Sequence, residues 1–284
     1  MRAFLFGLLI FALSAAPRAE IVQQTLRPGI PLSAEYLTGN RAKPAVLLLH
    51  GFLQTREFAT VANLARGLND AGYPVLVPTL SLGIPNRKQS LACEAVHKHA
   101  MADDVAEIAR WVAWLKARGH GQILVFGHSF GSLQGLAYLS GKPDPAVKGY
   151  IGISLIEAQI GGADRAQLIS QLEARVAAGR RELIPHALSF CRKYLATPDS
   201  LLSYVRWDQP RVLAALKQAK IPVRLIMGDL DELAGHNWFA ALQHMQIPMV
   251  VIKGANHFMD GEHEFDLLEH ALHQLERFGT VAAR

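Results

Sequence analysis

The 284-residue sequence predicts an α/β fold, in which a mostly parallel, doubly wound sheet is covered by helices on both faces. Short apolar runs alternate with helical patterns almost throughout the chain. Several of these runs are continuously apolar, as in strands that are buried on both faces. One interval of about seventy residues, between Ile153 and Val223, far exceeds the dozen or so residues of a single crossover helix, and it therefore predicts an insertion.

The N-terminus has the composition of a secretory signal peptide. Arg2 provides a positive charge, an apolar run extends from Ala3 to Leu13, and small residues follow up to Ala19. Because this run is too short to cross a bilayer comfortably, we expect cleavage after Ala19 and export of residues 20–284 to the periplasm or the medium. An uncleaved N-terminal anchor is the alternative. No later segment is apolar and long enough to predict a membrane span.

The charge pattern argues against a nucleic-acid-binding protein, and the cysteine count bears on a disulfide. The net charge is +5, and the cations are scattered rather than gathered into the stripe that nucleic-acid binding requires. Cys93 and Cys191 are the two cysteines of the chain. In an oxidising compartment they predict one disulfide, with two free thiols as the alternative.

Apolar patterning predicts the strands in chain order. Two alternating segments are joined by the Pro28-Gly29 turn, and continuous apolar runs follow them. The predicted strands are 21–26, 30–37, 45–49, 75–77, 123–126, 147–153, 223–227 and 249–252.

Helical spacing of apolar residues predicts the helices between these strands. Those outside the insertion are 57–70, 103–116, 130–140 and 262–277, and 79–100 is predicted to be a polar loop. Four further helical patterns fill the insertion: 165–178, 181–196, 198–205 and 210–219. We expect residues 155–208, approximately, to form a helical cap over the carboxyl edge of the sheet, with 210–219 as the crossover helix.

The sharpest chemical signal is the segment Gly127-His128-Ser129-Phe130-Gly131. It directly follows the predicted strand 123–126 and begins a predicted helix. A serine on such a tight turn is held in a strained conformation above the sheet edge, and glycines on either side avoid collisions with the neighbouring backbone. A glycine-rich turn with a helix-capping serine is the simpler alternative.

A general base and an acid follow in the order that this turn requires. His257 comes just after the strand 249–252, and Asp229 and Asp231 come just after the strand 223–227. Carboxyl ends of parallel strands meet at one edge of a sheet, so Ser129, His257 and one of the two aspartates are predicted to converge.

These residues resemble the α/β-hydrolase superfamily over essentially the whole mature chain. The resemblance implies that Asp231 is the acid, because that family commonly places it three residues after the glycine that closes its strand. Asp229 is the second candidate, and Glu157 is the third, since some members carry the acid one strand earlier.

A second motif, His50-Gly51-Phe52, resembles the His-Gly pair that the family carries after its third strand. By this resemblance the backbone N–H groups of Phe52 and Phe130 would form the oxyanion hole, and His50 would brace the loop. The aromatic residues of the cap either line an apolar acyl pocket or form the packing core of the cap; they are Phe190, Tyr194, Tyr204 and Trp207.

The expected function is that of an exported serine hydrolase that cleaves an ester or related acyl bond through a Ser-His-Asp triad, without a cofactor or a metal. Its substrate would be a small or lipid-like acyl compound. A peptidase or amidase, or a non-catalytic binding module of the cell envelope, is the alternative. Cys93, His97 and His99 match no standard zinc spacing and are predicted to lie on a solvated loop rather than in a metal site.

Overall fold

Eight strands form one sheet in the computed structural model, which describes residues 19–281. The strands are β1 (Ala19–Arg27), β2 (Ile30–Leu37), β3 (Ala45–Leu49), β4 (Val75–Thr79), β5 (Ile123–His128), β6 (Val147–Ile153), β9 (Val223–Gly228) and β10 (Met249–Ile252). Their order is β1-β2-β4-β3-β5-β6-β9-β10. Strand β2 is antiparallel to β1 and β4, and the other neighbouring pairs are parallel. The predicted, mostly parallel α/β sheet is confirmed.

Helices pack on both faces of this sheet. Helices α1 (Ala59–Asp70) and α8 (His263–Val281) share one hydrophobic cluster with the sheet, and α2 (Met101–Ala117) and α3 (Phe130–Leu139) share the other. Strand β3 shows why its sequence is continuously apolar. Leu47 and Leu49 belong to the α2/α3 cluster, while Val46 and Leu48 belong to the α1/α8 cluster, so alternate side chains are buried on opposite faces.

The insertion between β6 and the crossover helix α6 (Gln209–Gln218) contains both helices and strands. It consists of α4 (Arg165–Ala177), the antiparallel pair β7 (Ile184–Leu188) and β8 (Cys191–Ala196), and α5 (Pro198–Val205). A further helix, α7 (His236–His244), lies between β9 and β10 and is absent from the sequence-based expectations.

The predicted helix over 181–196 is wrong, because this segment is the β7–β8 hairpin. Pro185 has no N–H to donate and disfavours a helix interior at this position. The outer edge of β8 also has a partner far away in sequence, since His97 N–H donates to the Leu195 carbonyl at 2.8 Å. Helical spacing within 181–196 reveals neither constraint.

The β4–α2 loop, residues 80–100, is partly buried rather than fully solvated as predicted. His97 and His99 are almost entirely enclosed, and the His97 ring stacks on Tyr194 at 4.1 Å between centroids. The loop is linked to β8 by the Cys93–Cys191 disulfide, whose Cα atoms are 5.4 Å apart. The predicted disulfide is therefore present.

The predicted signal peptide lies outside the described residues, apart from Ala19 at the beginning of β1. Among residues 19–281, none of the helices combines the length and the apolar composition needed to cross a bilayer.

We expect the Cys93→Ser/Cys191→Ser double variant to lose about 2–5 kcal/mol of unfolding free energy, because the disulfide joins residues 98 positions apart and restricts the unfolded chain. Urea denaturation of the oxidised wild type and the double variant measures this loss. Alkylation of the denatured wild type should modify no cysteine before reduction and two after it. Two modified thiols without reductant would contradict the disulfide.

Candidate active site

Ser129 lies on the tight turn between β5 and α3. Its φ of +57° is in the left-handed region that a serine rarely adopts. The turn is so close to its surroundings that a Cβ on Gly127 would lie 2.5 Å from the Ser132 nitrogen, and a Cβ on Gly131 would lie 2.8 Å from the Leu49 carbonyl oxygen. The two glycines of the motif are therefore required by space, and they let the turn bring Ser129 to the carboxyl edge of the sheet.

His257 reaches Ser129 from the β10–α8 loop. Its Nε2 atom is 2.7 Å from Ser129 Oγ, and both side chains are largely buried. The backbone of this residue is held from two directions, because the Ser154 hydroxyl donates to its carbonyl oxygen at 2.8 Å and His128 Nε2 lies 3.0 Å from the same oxygen. The loop therefore presents the imidazole in a fixed position.

Asp231 approaches the other side of the imidazole from the loop after β9. Its carboxylate oxygens lie 2.9 and 2.8 Å from His257 Nδ1. The carboxylate also accepts the N–H of Ala234 at 2.8 Å. Because Nδ1 faces a carboxylate, it carries the proton, and Nε2 is then free to accept the proton of Ser129.

The two other candidate acids lie elsewhere. Asp229 Oδ1 accepts the N–H of Gly254 at 2.6 Å, so this exposed carboxylate ties the β9–α7 loop to the loop that carries His257. Glu157 forms an ion pair with Arg165 at 2.9 Å, and burial raises the pKa of its carboxyl group. Neither carboxylate is among the hydrogen-bond partners of His257.

The segment after β3 lies beside the serine. A Cβ on Gly51 would be 3.4 Å from the Ser129 Cβ, and the rings of Phe52 and Phe130 are 4.7 Å apart. His50 Nε2 accepts the N–H of Leu80 at 2.9 Å, and its Nδ1 donates to the Gly51 carbonyl at 2.9 Å. Burial lowers the pKa of His50 to about 3, so this imidazole is neutral and holds the loop in place.

A cavity of about 710 Å³ opens above Ser129 and His257. Its wall is largely apolar and includes several side chains that remain partly exposed, namely Phe58, Phe190, Leu230, Leu233 and Phe258. The cap aromatics divide between their two predicted roles. Phe190 lines the cavity and is about half exposed, whereas the other three are buried in the core; these are Tyr194, Tyr204 and Trp207.

No group of three or more His, Cys, Asp and Glu side chains within residues 19–281 is arranged to hold a metal ion. The sulfur atoms of Cys93 and Cys191 are joined in the disulfide, and His97 and His99 pack against aromatic rings.

Sequence reasoning missed two side chains that hold the site. Ser154 follows β6 and donates to the His257 carbonyl, and Arg87 in the β4–α2 loop donates to the segment after Phe52. Serine after a strand is common, and a lone arginine in a polar loop carries no motif. Only the folded arrangement reveals their contacts.

Comparison with known proteins places these features in a family. The profile described as the alpha/beta hydrolase family matches residues 46–270. A search of curated proteins finds no match.

Solved structures share the fold at low sequence identity. The α/β hydrolase GrgF from Penicillium sp. sh18 is 17% identical with a TM-score of 0.70, and the alignment covers 92% of this chain and 99% of that one. Est1E from Butyrivibrio proteoclasticus is 17% identical with a TM-score of 0.62, covering 91% and 99%. The monoacylglycerol lipase of Paleococcus ferrophilus is 18% identical with a TM-score of 0.64, covering 87% and 99%.

Proposed function

This chain belongs to the alpha/beta hydrolase family, and we propose that it is a serine hydrolase that cleaves an ester or related acyl bond. The observation that carries the proposal is the continuous hydrogen-bonded line from Ser129 Oγ through the imidazole of His257 to the carboxylate of Asp231. Three side chains from three separate loops meet at hydrogen-bond distances, which is the geometry that nucleophilic catalysis by a serine requires.

In the proposed reaction, His257 Nε2 takes the proton of Ser129 as Oγ attacks the carbonyl carbon of the substrate. Asp231 holds the imidazole in the required tautomer and stabilises its positive charge. The tetrahedral intermediate then collapses, and the proton passes from His257 to the leaving alcohol. Water attacks the acyl-enzyme by the same route, which releases the acid and regenerates the serine.

The oxyanion of the tetrahedral intermediate would be stabilised by the backbone N–H groups of Phe52 and Phe130. Phe52 follows the β3 strand, and Phe130 begins α3, so both flank Ser129. A well-placed donor of this kind contributes about 3–4 kcal/mol to transition-state stabilisation. Helix α3 also directs the positive end of its dipole to the same point.

The cavity supports a substrate with a bulky apolar group. Several apolar side chains of its wall are partly exposed, and they would be covered by such a group. Two of the similar structures support such a substrate, since one is a monoacylglycerol lipase and the other is Est1E with bound ferulic acid, which is an aromatic acid. We propose an uncharged ester with an extended apolar or aromatic acyl chain, and a cap function for the insertion over residues 155–208.

Hydrolysis of an amide or peptide bond is the second candidate, because the same serine can form an acyl-enzyme from an amide as well as from an ester. The largely apolar wall of the cavity, which would cover an uncharged apolar group, favours the ester. A non-catalytic binding module would have no need for the strained turn at Ser129.

The disulfide supports export, because such bonds persist in oxidising compartments. We therefore propose that residues 1–19 are a signal peptide and that the mature protein acts in the periplasm or the medium.

A fluorophosphonate probe should label the wild type and leave Ser129→Ala unlabelled, because the probe reacts with an activated serine. Ser129→Ala should also lose on the order of 10⁶-fold in kcat on p-nitrophenyl butyrate. Ser170→Ala, which removes an exposed hydroxyl on α4, is the matched control and should label normally. A wild type that neither reacts nor turns over any ester would favour the binding module.

Asp231→Asn should lower kcat by about 10⁴-fold, since an amide at this position favours the wrong tautomer of His257. Asp229→Asn should retain most of the activity, because an amide oxygen can still accept the N–H of Gly254. Steady-state kinetics of the two variants measure the difference. Equal losses would contradict the assignment of Asp231 as the acid.

The value of kcat/KM should rise along a series of p-nitrophenyl esters from acetate to octanoate, by up to about fourfold for each methylene that the cavity buries. Phe190→Ala should reduce the rise, because it removes part of the apolar wall. Phe265→Ala removes an exposed phenyl ring that is not among the lining residues and should leave the rise unchanged. A flat series in the wild type would exclude an extended acyl chain.

A further inference from the structure

Arg87 is a buried cation that the proposed reaction does not use. Its side chain comes from the β4–α2 loop and is only 4% exposed. Within that loop, Nε donates to the Leu80 carbonyl at 2.7 Å and Nη1 donates to the Gln89 carbonyl at 2.8 Å. A fully enclosed guanidinium that binds backbone carbonyls fixes the path of the chain around it.

The remaining donors of Arg87 reach the segment that follows β3. Nη2 donates to the Gln54 carbonyl at 2.6 Å, and Nη1 lies 3.3 Å from the Leu53 carbonyl. Leu53 has a φ of +57°, a conformation that a leucine seldom adopts, so this segment needs contacts from outside to hold its shape. Arg87 provides two of these contacts, directly after Phe52.

The same segment determines where the N–H of Phe52 points. The Gly51 carbonyl accepts hydrogen bonds from His50 Nδ1 at 2.9 Å and from the N–H of Gln54 at 3.1 Å. Because the peptide between Gly51 and Phe52 is planar and trans, fixing its C=O also fixes the opposite direction of its N–H. Gln54 therefore links Arg87 to the peptide between Gly51 and Phe52, since its N–H donates to the Gly51 carbonyl and its own carbonyl accepts from Arg87.

We propose that Arg87 is a positioning residue, which directs the Phe52 N–H toward the reacting oxygen through the carbonyls of Leu53 and Gln54. This inference rests on the proposed acyl transfer, because the direction of that N–H matters only if an oxyanion forms. Arg87 acts through the backbone and does not line the cavity that would receive the substrate.

The contribution of the positive charge of Arg87 can be tested separately from that of its hydrogen-bond geometry. Burial lowers its pKa to about 10, while the buried carboxyl groups of Glu107 and Asp104 oppose this shift, so the guanidinium is charged at neutral pH. The His50 imidazole is also in contact with it, with Nε2 3.3 Å from Nη2. A lysine keeps the charge but offers its donors from a single nitrogen and cannot reach the same spread of carbonyls.

The test compares Arg87→Ala and Arg87→Lys with the wild type on p-nitrophenyl butyrate. Both variants should lose about 10²–10³-fold in kcat, the value of one oxyanion donor, with little change in KM. Millimolar guanidinium should restore part of the kcat of Arg87→Ala, because the ion can occupy the space left by the side chain. It should not restore Arg87→Lys, in which that space is filled.

Arg165→Ala is the matched control. Arg165 also holds two backbone carbonyls, those of Ala158 and Val205, at 2.9 and 2.7 Å, but it does so in the insertion and away from Phe52. We expect this variant to lower the Tm while its kcat stays close to that of the wild type. The comparison separates a loss of stability from a loss of positioning.

A failure of this inference can be distinguished from a failure of the proposed function. A wild type that no fluorophosphonate labels and that hydrolyses no ester overturns the function itself. If the wild type is active but Arg87→Ala, at an equal loss of Tm, is no slower in kcat than Arg165→Ala, only the role of Arg87 is overturned. The same holds if Arg87→Ala changes KM alone. If Arg87→Ala does not fold, Arg87→Lys decides, and a wild-type kcat in that variant overturns the role.

Discussion

The candidate site depends on the close approach of the Ser129 turn to the end of β3. Gly131 lies so near the Leu49 carbonyl that no side chain fits between them. The beginning of α3 and the segment after β3 therefore cannot shift independently. The same turn is tied to β6, because the Ser129 N–H donates to the Ile153 carbonyl at 2.8 Å, and the next residue, Ser154, holds the loop of His257. One tightly packed turn thus connects the three segments that surround the serine.

The sheet was predictable because its signals are local. The continuous apolar run over β3 follows from burial on both faces, and β2, which alternates, has the bounds that the sequence predicts. The hairpin β7–β8 was not predictable in this way. Its strand β8 is held by the disulfide at Cys191 and by His97, and both contacts cross about a hundred residues of chain. Patterns within a short window do not contain such contacts.

The residues of the candidate site also differ in whether local sequence patterns predict them. Motifs that follow strand ends predict Ser129 and His257, and the His257 Nε2 and Ser129 Oγ atoms lie 2.7 Å apart. The two aspartates after β9 are equivalent in sequence terms apart from the family resemblance, and only the folded loop shows that Asp231 turns inward while Asp229 binds the Gly254 N–H. No sequence pattern predicts the role of Arg87. Its partners are backbone carbonyls, which every residue carries, so the contacts require no particular residue type at the partner positions.

The histidines around Ser129 are distinguished by the charges of their neighbours. Burial lowers the pKa of His50 to about 3 and that of His128 to about 4, and Arg87 beside His50 opposes a second positive charge there. These two imidazoles therefore stay neutral and serve as hydrogen-bonding braces. His257 alone of the three contacts both the serine hydroxyl and a carboxylate within the described residues. In the proposed reaction the base becomes a cation, and of these three imidazoles His257 is the one hydrogen-bonded to the Asp231 carboxylate, so the arrangement of charges favours the same base as the arrangement of distances.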